Sequence, residues 1–476
     1  MTKNNFSYDI KNICCIGAGY VGGPSMAVIA DKCPDINVIV VDTNQERISQ
    51  WNKNNLDELP IYERGLDEIV KRVRNKNLFF SSDVEGAIRN ADMIFISVNT
   101  PIKTKGIGAG QASNLHWVEV CARQINELAE EHTIVVEKST LPVRTAQTIK
   151  NILSSNISNS EKKQHRSFSI LSNPEFLSEG NAIDDLENPD RVLIGGDDLK
   201  AIKTLKNIYE SWVPTKKIIC TNLWSSELSK LVSNAFLAQR ISSINTVSAI
   251  CEASGAQINE VSKAIGSDSR IGKKFLNAGP GFGGSCFKKD ILNLVYLCKH
   301  FGLYEVAEFW EQVVKINKWQ QNRIFQIIFN KLFGNVIGKK ITILGFSFKS
   351  NTNDTRESPA IEICRNLLFE GANLTINDPK VSKKQISKDL LNYEPSNKNT
   401  IPEFGCWTYE QSIIKSIQGS DAVVVLTEWE EYKNLNWQKI SLNMRKPAWV
   451  FDTRLIINKE EVISSGLNFW GLGDGT

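Results

Sequence analysis

Residues 12–42 read NICCIGAGYVGGPSMAVIADKCPDINVIVVD, and this stretch limits the possible folds more than any other in the chain. An apolar run (Ile13 to Ile16) meets three glycines spaced G-x-G-x-x-G, an apolar helical pattern follows, and a second apolar run ends on Asp42. Strands this apolar are covered on both faces, and a helix between them makes a right-handed parallel crossover, so the fold is α/β. Gly17-Ala18-Gly19-Tyr20-Val21-Gly22 supplies a tight turn and lets a pyrophosphate approach a helix N-terminus, while Asp42 is placed to accept from a ribose diol. A carboxylate there repels a 2′-phosphate and favours NAD over NADP, with Arg47 nearby as the opposing charge. The competing reading, a glycine turn that merely packs, leaves the coincidence of strand, turn, helix, strand and acid unexplained.

Strand-like runs continue at ADMIFISVNTP, TIVVEKSTLP and FSILSNPEF, extending a doubly wound parallel sheet over roughly residues 10–220. Residues 224–266 hold apolar positions at helical spacing without proline, which predicts two consecutive helices, the first long enough to connect domains or form a dimer interface. A further helical stretch near 288–333 precedes a second strand series: KKITILGFSFK, NLTINDP, DAVVVLTEW and PAWVFDTR. The expected architecture is therefore two Rossmann-like doubly wound domains joined by a long central helix. The expected boundaries are 1–222 for NAD, 223–333 for the connector and dimerisation region, and 334–476 for the second α/β domain. The glycine turn of that domain is degenerate, which argues against a second cofactor of the same kind. Residues 379–403 are polar and read as a surface excursion.

A formal charge of +3 with no long charge block gives no footing for nucleic acid. No apolar run reaches the roughly 18 residues that span a bilayer, and no signal-peptide core precedes the first strand, so a cytoplasmic protein without membrane contact is expected. Ten cysteines without a CxxC pair, most of them inside apolar runs, read as reduced and buried, and the four histidines lack metal-ligand spacing. Cys286 stands apart. It ends GPGFGGSC, where four glycines in six positions add little to a core, and a helix begins near Phe287 whose N-terminal dipole favours a thiolate. Lys230 and Asn234 are four apart in a helical pattern, as are Glu175 and Glu179; taken singly, each pair also fits a solvated face.

GAGYVGGP, SVNTP, EKSTLPVR, SNPEFLSEG, NPDRVLIGG, WSSELSKLVSNAFLAQR, GPGFGGSCFKKD and GFSFKSNTNDTRESPA, in this order, resemble the UDP-glucose/GDP-mannose dehydrogenase family. They are most similar to its UDP-glucose 6-dehydrogenases, and WSSELSKL and ISSIN are close to the animal type. The resemblance implies four-electron oxidation of C6 of UDP-glucose to a carboxylate, using two NAD and no released aldehyde. It makes Cys286 the nucleophile that carries a thiohemiacetal and then a thioester. Lys230, Asn234 and Asp290 would steady the C6 oxygen and pass a proton, Glu175 would activate the hydrolytic water, and Thr140 would hold a water near the reacting carbon. The implied NAD contacts are the Gly17–Gly22 turn, Asp42, Arg47, Val98, Asn99, Thr100, Pro101, Ser139, Thr140, Glu179 and Arg356. The implied substrate contacts are Glu175, Phe176, Leu177, Glu179, Lys230, Asn234, Arg270, Gly279, Phe282, Gly283, Phe348, Lys349 and Arg454. Bare glycines near Cys286 would let the sugar ring come close. Arg356 has an interdomain ion pair as its alternative reading. Many animal members carry lysine where this chain has Asn277, and a different pair where it has Gly279-Pro280. Members acting on GDP-mannose or a UDP-N-acetylhexosamine share the plan, and a catalytically dead nucleotide-sugar sensor would share the fold. A homodimer or higher homo-oligomer is expected.

Overall fold

The computed structural model describes residues 7–139, 144–155, 166–390 and 405–475, and these form two sheets. The first contains β1 (Asn12–Ile16), β2 (Asn37–Val41), β3 (Leu78–Ser81), β4 (Met93–Ile96), β5 (Thr133–Glu137), β6 (Phe168–Ser172), β7 (Val192–Gly196) and β8 (Ile218–Thr221), in the order β3-β2-β1-β4-β5-β6-β7-β8. Alternation divides its two faces. Ile13, Cys15, Val38, Val40, Met93 and Phe95 feed one core, and Cys14, Ile16, Ile94, Ile96 and Val135 feed the other. Both faces are dry because helices cover both.

The sheet is not wholly parallel as expected. β6 and β7 pair antiparallel through Leu171↔Gly196 and Ser172↔Gly195, and β8 then runs parallel to β7. A short apolar run signals burial but carries no mark of its direction.

The second sheet contains β9 (Lys340–Leu344), β10 (Asn373–Asn377), β11 (Trp407–Tyr409), β12 (Ala422–Val425), β13 (Trp449–Asp452) and β14 (Asn468–Gly471). Its order is β11-β10-β9-β12-β13-β14, with every neighbouring pair parallel.

The 32-residue helix Leu223–Ser254 links the two sheets along the chain and spans about 48 Å at 1.5 Å per residue. Neither proline nor glycine interrupts it, and it stops at Gly255, whose φ of 82° sets a left-handed C-terminal cap and whose N–H reaches the Cys251 carbonyl at 3.0 Å. Helices Ile258–Gly266, Phe287–His300 and Tyr304–Lys331 follow. The chain divides into two compact units, Met1–Ser233 with Leu292–Gly302, and Asn234–Ile291 with Leu303–Thr476. The stretch 223–333, read from sequence as a connector, is shared between them.

No helix among the described residues is long and apolar enough to cross a membrane, and no cluster of three or more His, Cys, Asp or Glu there could hold a metal ion. Cys220 and Cys406 are exposed, so Cys286 is not alone in lying outside the core.

Candidate active site

The glycines of the first turn do three different jobs. Gly17 has φ of 115° and donates to the Val41 carbonyl at 2.7 Å, and a Cβ there would lie 2.3 Å from the Ser97 carbonyl oxygen. At Gly22 a Cβ would lie 2.0 Å from the Gly17 oxygen. Gly19 has nothing within 4 Å of its ideal Cβ, so open space lies over the turn where a pyrophosphate would rest. Val21 heads the helix Gly22–Lys32. Asp42 closes β2 with its Oδ2 accepting the Ala18 N–H at 3.0 Å and lying 3.0 Å from Arg47 NH1, while Oδ1 accepts from Asn44. The acid is thus fixed beside the turn, and Arg47 is held by it. Ser139 Oγ donates to the Val98 carbonyl at 2.7 Å; Thr100 is buried, and Asn99 and Pro101 are exposed. These residues fit a nicotinamide dinucleotide. Thr140 lies outside the described residues.

In the same unit, Glu175 and Lys230 are not on solvated faces. Glu175 is 8% exposed and its Oε2 has no hydrogen-bond partner among the described residues; Lys230 is 4% exposed. Two cations approach the Phe176 ring, the Arg191 guanidinium at 3.8 Å and the Lys230 Nζ at 5.3 Å from its centroid. Leu177 packs on the core and Glu179 is half-buried. Burial of a lysine ammonium and a carboxylate costs several kcal/mol that a purely structural surface would avoid.

In the second unit, the Cys286 carbonyl accepts the Asp290 N–H at 2.8 Å and so opens the helix Phe287–His300. Its thiol, half-exposed, lies 3.4 Å from Ser285 Oγ. Asp290, fully buried one turn on, accepts from Asn234 Nδ2 at 2.6 Å. Lys230 precedes Asn234 by one turn of the long helix.

The glycines before Cys286 are explained by the protein itself. A Cβ on Gly283 would lie 2.7 Å from both the Glu357 carbonyl and Phe348 Cβ, and one on Gly284 would press on the Phe348 ring at 3.1 Å. The Gly284 N–H donates to the Arg356 carbonyl at 2.8 Å. The loop is bare there so that it can dock on residues 348–357, which is a correction to the reading that all of these glycines clear space for a sugar. Gly279 is looser, 3.4 Å from Arg454 NH1.

Arg454 ties this corner together. Its Nε donates to the Leu426 carbonyl at 2.8 Å, NH2 to the Phe348 carbonyl at 3.0 Å, and NH1 pairs with Glu428 at 3.1 Å. Lys349 Nζ sits 5.7 Å from the Phe348 centroid, and Phe282 is buried. The structure therefore gathers Gly279, Phe282, Gly283, Phe348, Lys349 and Arg454. The Arg270 side chain is 87% exposed and pairs with Asp268. Arg356 also pairs locally, its Nε and NH2 reaching Asp354 at 2.6–2.9 Å.

Glu137 and Glu227 were not singled out from the sequence, although both lie inside quoted motifs. Glu227, on the long helix, accepts the backbone N–H groups of Arg144 and Ala146 at 2.8 Å each, capping the helix Thr145–Ser154. Glu137 ends β5 fully buried; burial and the neighbouring Glu227 carboxyl push it well above the usual carboxylate range, and burial raises Glu227 as well. Of the two, Glu137 is the more strongly raised, because it is the more deeply buried and faces the Glu227 carboxyl. An acid closing a strand and an acid in the first turns of a long helix look like ordinary surface charge until the fold brings them together.

The second sheet repeats the turn and fills it from within. Gly345, with φ of 94°, donates to the Asn377 carbonyl at 2.8 Å, just as Gly17 donates to Val41. Asp378, which follows β10 as Asp42 follows β2, accepts the N–H groups of Phe346 and Ser347 at 2.7 and 3.0 Å and the Trp429 Nε1–H at 3.2 Å. The donors a pyrophosphate would need are already used.

The sequence matches the NAD-binding domain of the UDP-glucose/GDP-mannose dehydrogenase family over residues 11–213, its central domain over 224–319 and its UDP-binding domain over 342–459. UDP-glucose 6-dehydrogenase 4 of Arabidopsis thaliana is 54% identical over 477 residues, covering 97% of this chain and 96% of that one. UDP-glucose 6-dehydrogenase 1 of Glycine max is 53% identical over 475 residues with the same coverage. These relatives are plant enzymes, although the motif wording pointed to the animal type. Among solved structures, a UDP-glucose dehydrogenase from the archaeon Pyrobaculum islandicum aligns over 99% of both chains with a TM-score of 0.81 at 27% identity. Three domain matches in order and more than half identity over nearly the whole length, on a chain whose first turn is built for a dinucleotide, place this protein in the UDP-glucose/GDP-mannose dehydrogenase family.

Proposed function

We propose that this chain oxidises C6 of UDP-glucose to the carboxylate of UDP-glucuronate, with Cys286 holding the carbon between two oxidations. The observation that carries the reading is the placement of Cys286 at the start of a 14-residue helix, with Asp290 one turn on, buried and bonded to Asn234. NAD, bound on the Gly17–Gly22 turn beside Asp42, supplies the hydride acceptor. Lys230, Asn234 and Asp290 steady the C6 oxygen as it loses its proton, and the Cys286 thiolate adds to the aldehyde, giving a thiohemiacetal. Loss of a second hydride leaves a thioester, and a water activated by Glu175 cleaves it, releasing carboxylate and thiol. The balance is two NAD reduced and one water consumed per sugar. Gly279, Phe282, Gly283, Phe348, Lys349 and Arg454 would take the nucleotide diphosphate, for which fixed cations and backbone N–H groups are suited.

A catalytically dead sensor has no use for a buried Lys230 and a buried Asp290 next to a half-exposed thiol. Homo-oligomers form through the long helix in this reading, supported by the exposed apolar side chains Phe236 and Ile250, 55% and 63% exposed. A cytoplasmic location is supported by free and mostly buried cysteines, as a reducing compartment allows. The test is NADH formed per sugar consumed, across UDP-glucose, GDP-mannose and UDP-N-acetylhexosamines. The expected result is two NADH with UDP-glucose and little with the others; one NADH, or preference for another sugar, overturns the assignment.

A further inference from the structure

We infer that Asn317 is a positioning residue for the Cys286 thiol, acting through the backbone of Phe282; the inference rests on the reading of Cys286 as nucleophile. Asn317 belongs to the helix Tyr304–Lys331 and is 7% exposed. Its Oδ1 accepts the Phe282 N–H at 2.8 Å and its Nδ2 donates to the Phe282 carbonyl at 3.0 Å. A carboxamide is the neutral side chain whose acceptor and donor are spaced like a peptide group, so it stands in for a missing strand neighbour and satisfies both polar groups of a buried loop residue. Two further buried amides fix the start of the same loop: Asn245 Oδ1 accepts the Gly279 N–H at 2.9 Å, and Gln320 Nε2 donates to the Gly279 carbonyl at 3.0 Å.

Gly281 belongs to this arrangement. Its φ is 124°, and a Cβ there would lie 2.8 Å from Asn317 Oδ1, so glycine is what lets the amide close on its neighbour. From Phe282 the constraint passes to the cysteine. The Phe282 ring meets the Phe287 ring edge to face at 5.8 Å and 86°, and Phe287 is the first residue of the helix that Cys286 opens. Asn317 thus sets Phe282, Phe282 sets Phe287, and Phe287 sets where the thiol lies against the helix N-terminus.

The experiment follows iodoacetamide alkylation of Cys286 against pH by peptide mass in the full-length protein without substrate, with exposed Cys220 and Cys406 as references in the same molecule. In Asn317→Ala the alkylation midpoint of Cys286 should rise by about half a pH unit or more, because the thiol loses its fixed place at the helix end, while the references stay put. The charged groups on that turn, Lys288 paired with Glu357, Lys289 and Asp290, are untouched by the substitution. kcat should fall at least tenfold. Asn317→Gln keeps a neutral carboxamide displaced by one methylene, so it covers the case of a poorly folding alanine variant without adding charge and should shift the midpoint in the same direction by less. A Cys286 midpoint that stays with the references in a folded variant overturns the inference. A shifted midpoint with undiminished UDP-glucose turnover overturns the positioning role in catalysis, while the reading of Cys286 as nucleophile is tested separately by the turnover of Cys286→Ser.

Discussion

At the residue scale, the cysteines separate by environment. Burial pushes the thiols of Cys15 and Cys121 up to about 12 and raises those of Cys14 and Cys364, which keeps them neutral and inert at physiological pH. Cys286 is half-exposed at a helix start, so it can be lost without loss of core. Cys286→Ser should keep the melting temperature within a degree or two and keep NAD binding, yet lower UDP-glucuronate formation at least about a thousandfold, since a serine hydroxyl has no accessible anion at neutral pH. Near wild-type turnover would end the covalent mechanism; a lower melting temperature with activity intact would mark a structural cysteine. Asp42 makes a second residue-level case. It pairs with Arg47 at 3.0 Å, so Asp42→Ala would remove the ribose acceptor and free a guanidinium for a 2′-phosphate. The ratio of kcat/KM for NAD over NADP should fall about tenfold or more, and an unchanged ratio would show that the acid does not choose the cofactor.

At the element scale, the Glu137–Glu227 pair joins the end of β5 to the capped helix Thr145–Ser154. Glu137 holds its proton far more tightly folded than unfolded, where a glutamate titrates near 4.3. The folded state therefore binds the extra proton. Its contribution is full below about pH 4 and declines as pH rises towards the raised folded value. Glu137→Gln is neutral at every pH and lacks that decline. Its stability relative to wild type should improve as pH rises from 5 to 8, by up to about 1.4 kcal/mol per pH unit for as long as the folded Glu137 stays protonated, read as a growing difference in melting temperature, and an offset equal at both pH values would mean that no proton is held there. The same elements show what the sequence could reveal. β1 and β2 were legible because their runs are apolar on both faces and bounded by glycine and acid. β3, β7, β8, β11 and β14, of three to five residues each, were not anticipated as strands, and pairing direction leaves no local trace. The Cys286 loop was legible by its missing side chains. The reasons for them, Phe348, Glu357 and Asn317, lie 36 to 74 residues away, and Asn245, Asn317 and Gln320 read as ordinary polar positions of helices until the loop is seen to bond to them.

At the scale of the whole molecule, two sheets of one plan hold turns of opposite capacity. In the first, Asp42 spends a single contact on the turn, through Ala18, and the space over Gly19 is open. In the second, Asp378 accepts from Phe346, Ser347, Lys380, Val381 and Trp429, and a Cβ on Gly345 would lie 2.3 Å from Thr427 Cβ. A carboxylate with five donors has taken the place a phosphate would occupy, and it gains stability by doing so. The degenerate glycine turn read from the sequence thus has a physical counterpart: the second sheet has exchanged a ligand for an internal anion. Calorimetric titration of the full-length protein should find one NAD per chain, even at concentrations well above the first dissociation constant. Asp378→Ala should not add a second site. It strands buried N–H groups without giving them an anion, and should lower stability by about 2–4 kcal/mol, seen as a reduced urea midpoint with the NAD affinity of the first turn unchanged. Two dinucleotides per wild-type chain would overturn the division of labour between the sheets, as would an Asp378→Ala protein as stable as its parent.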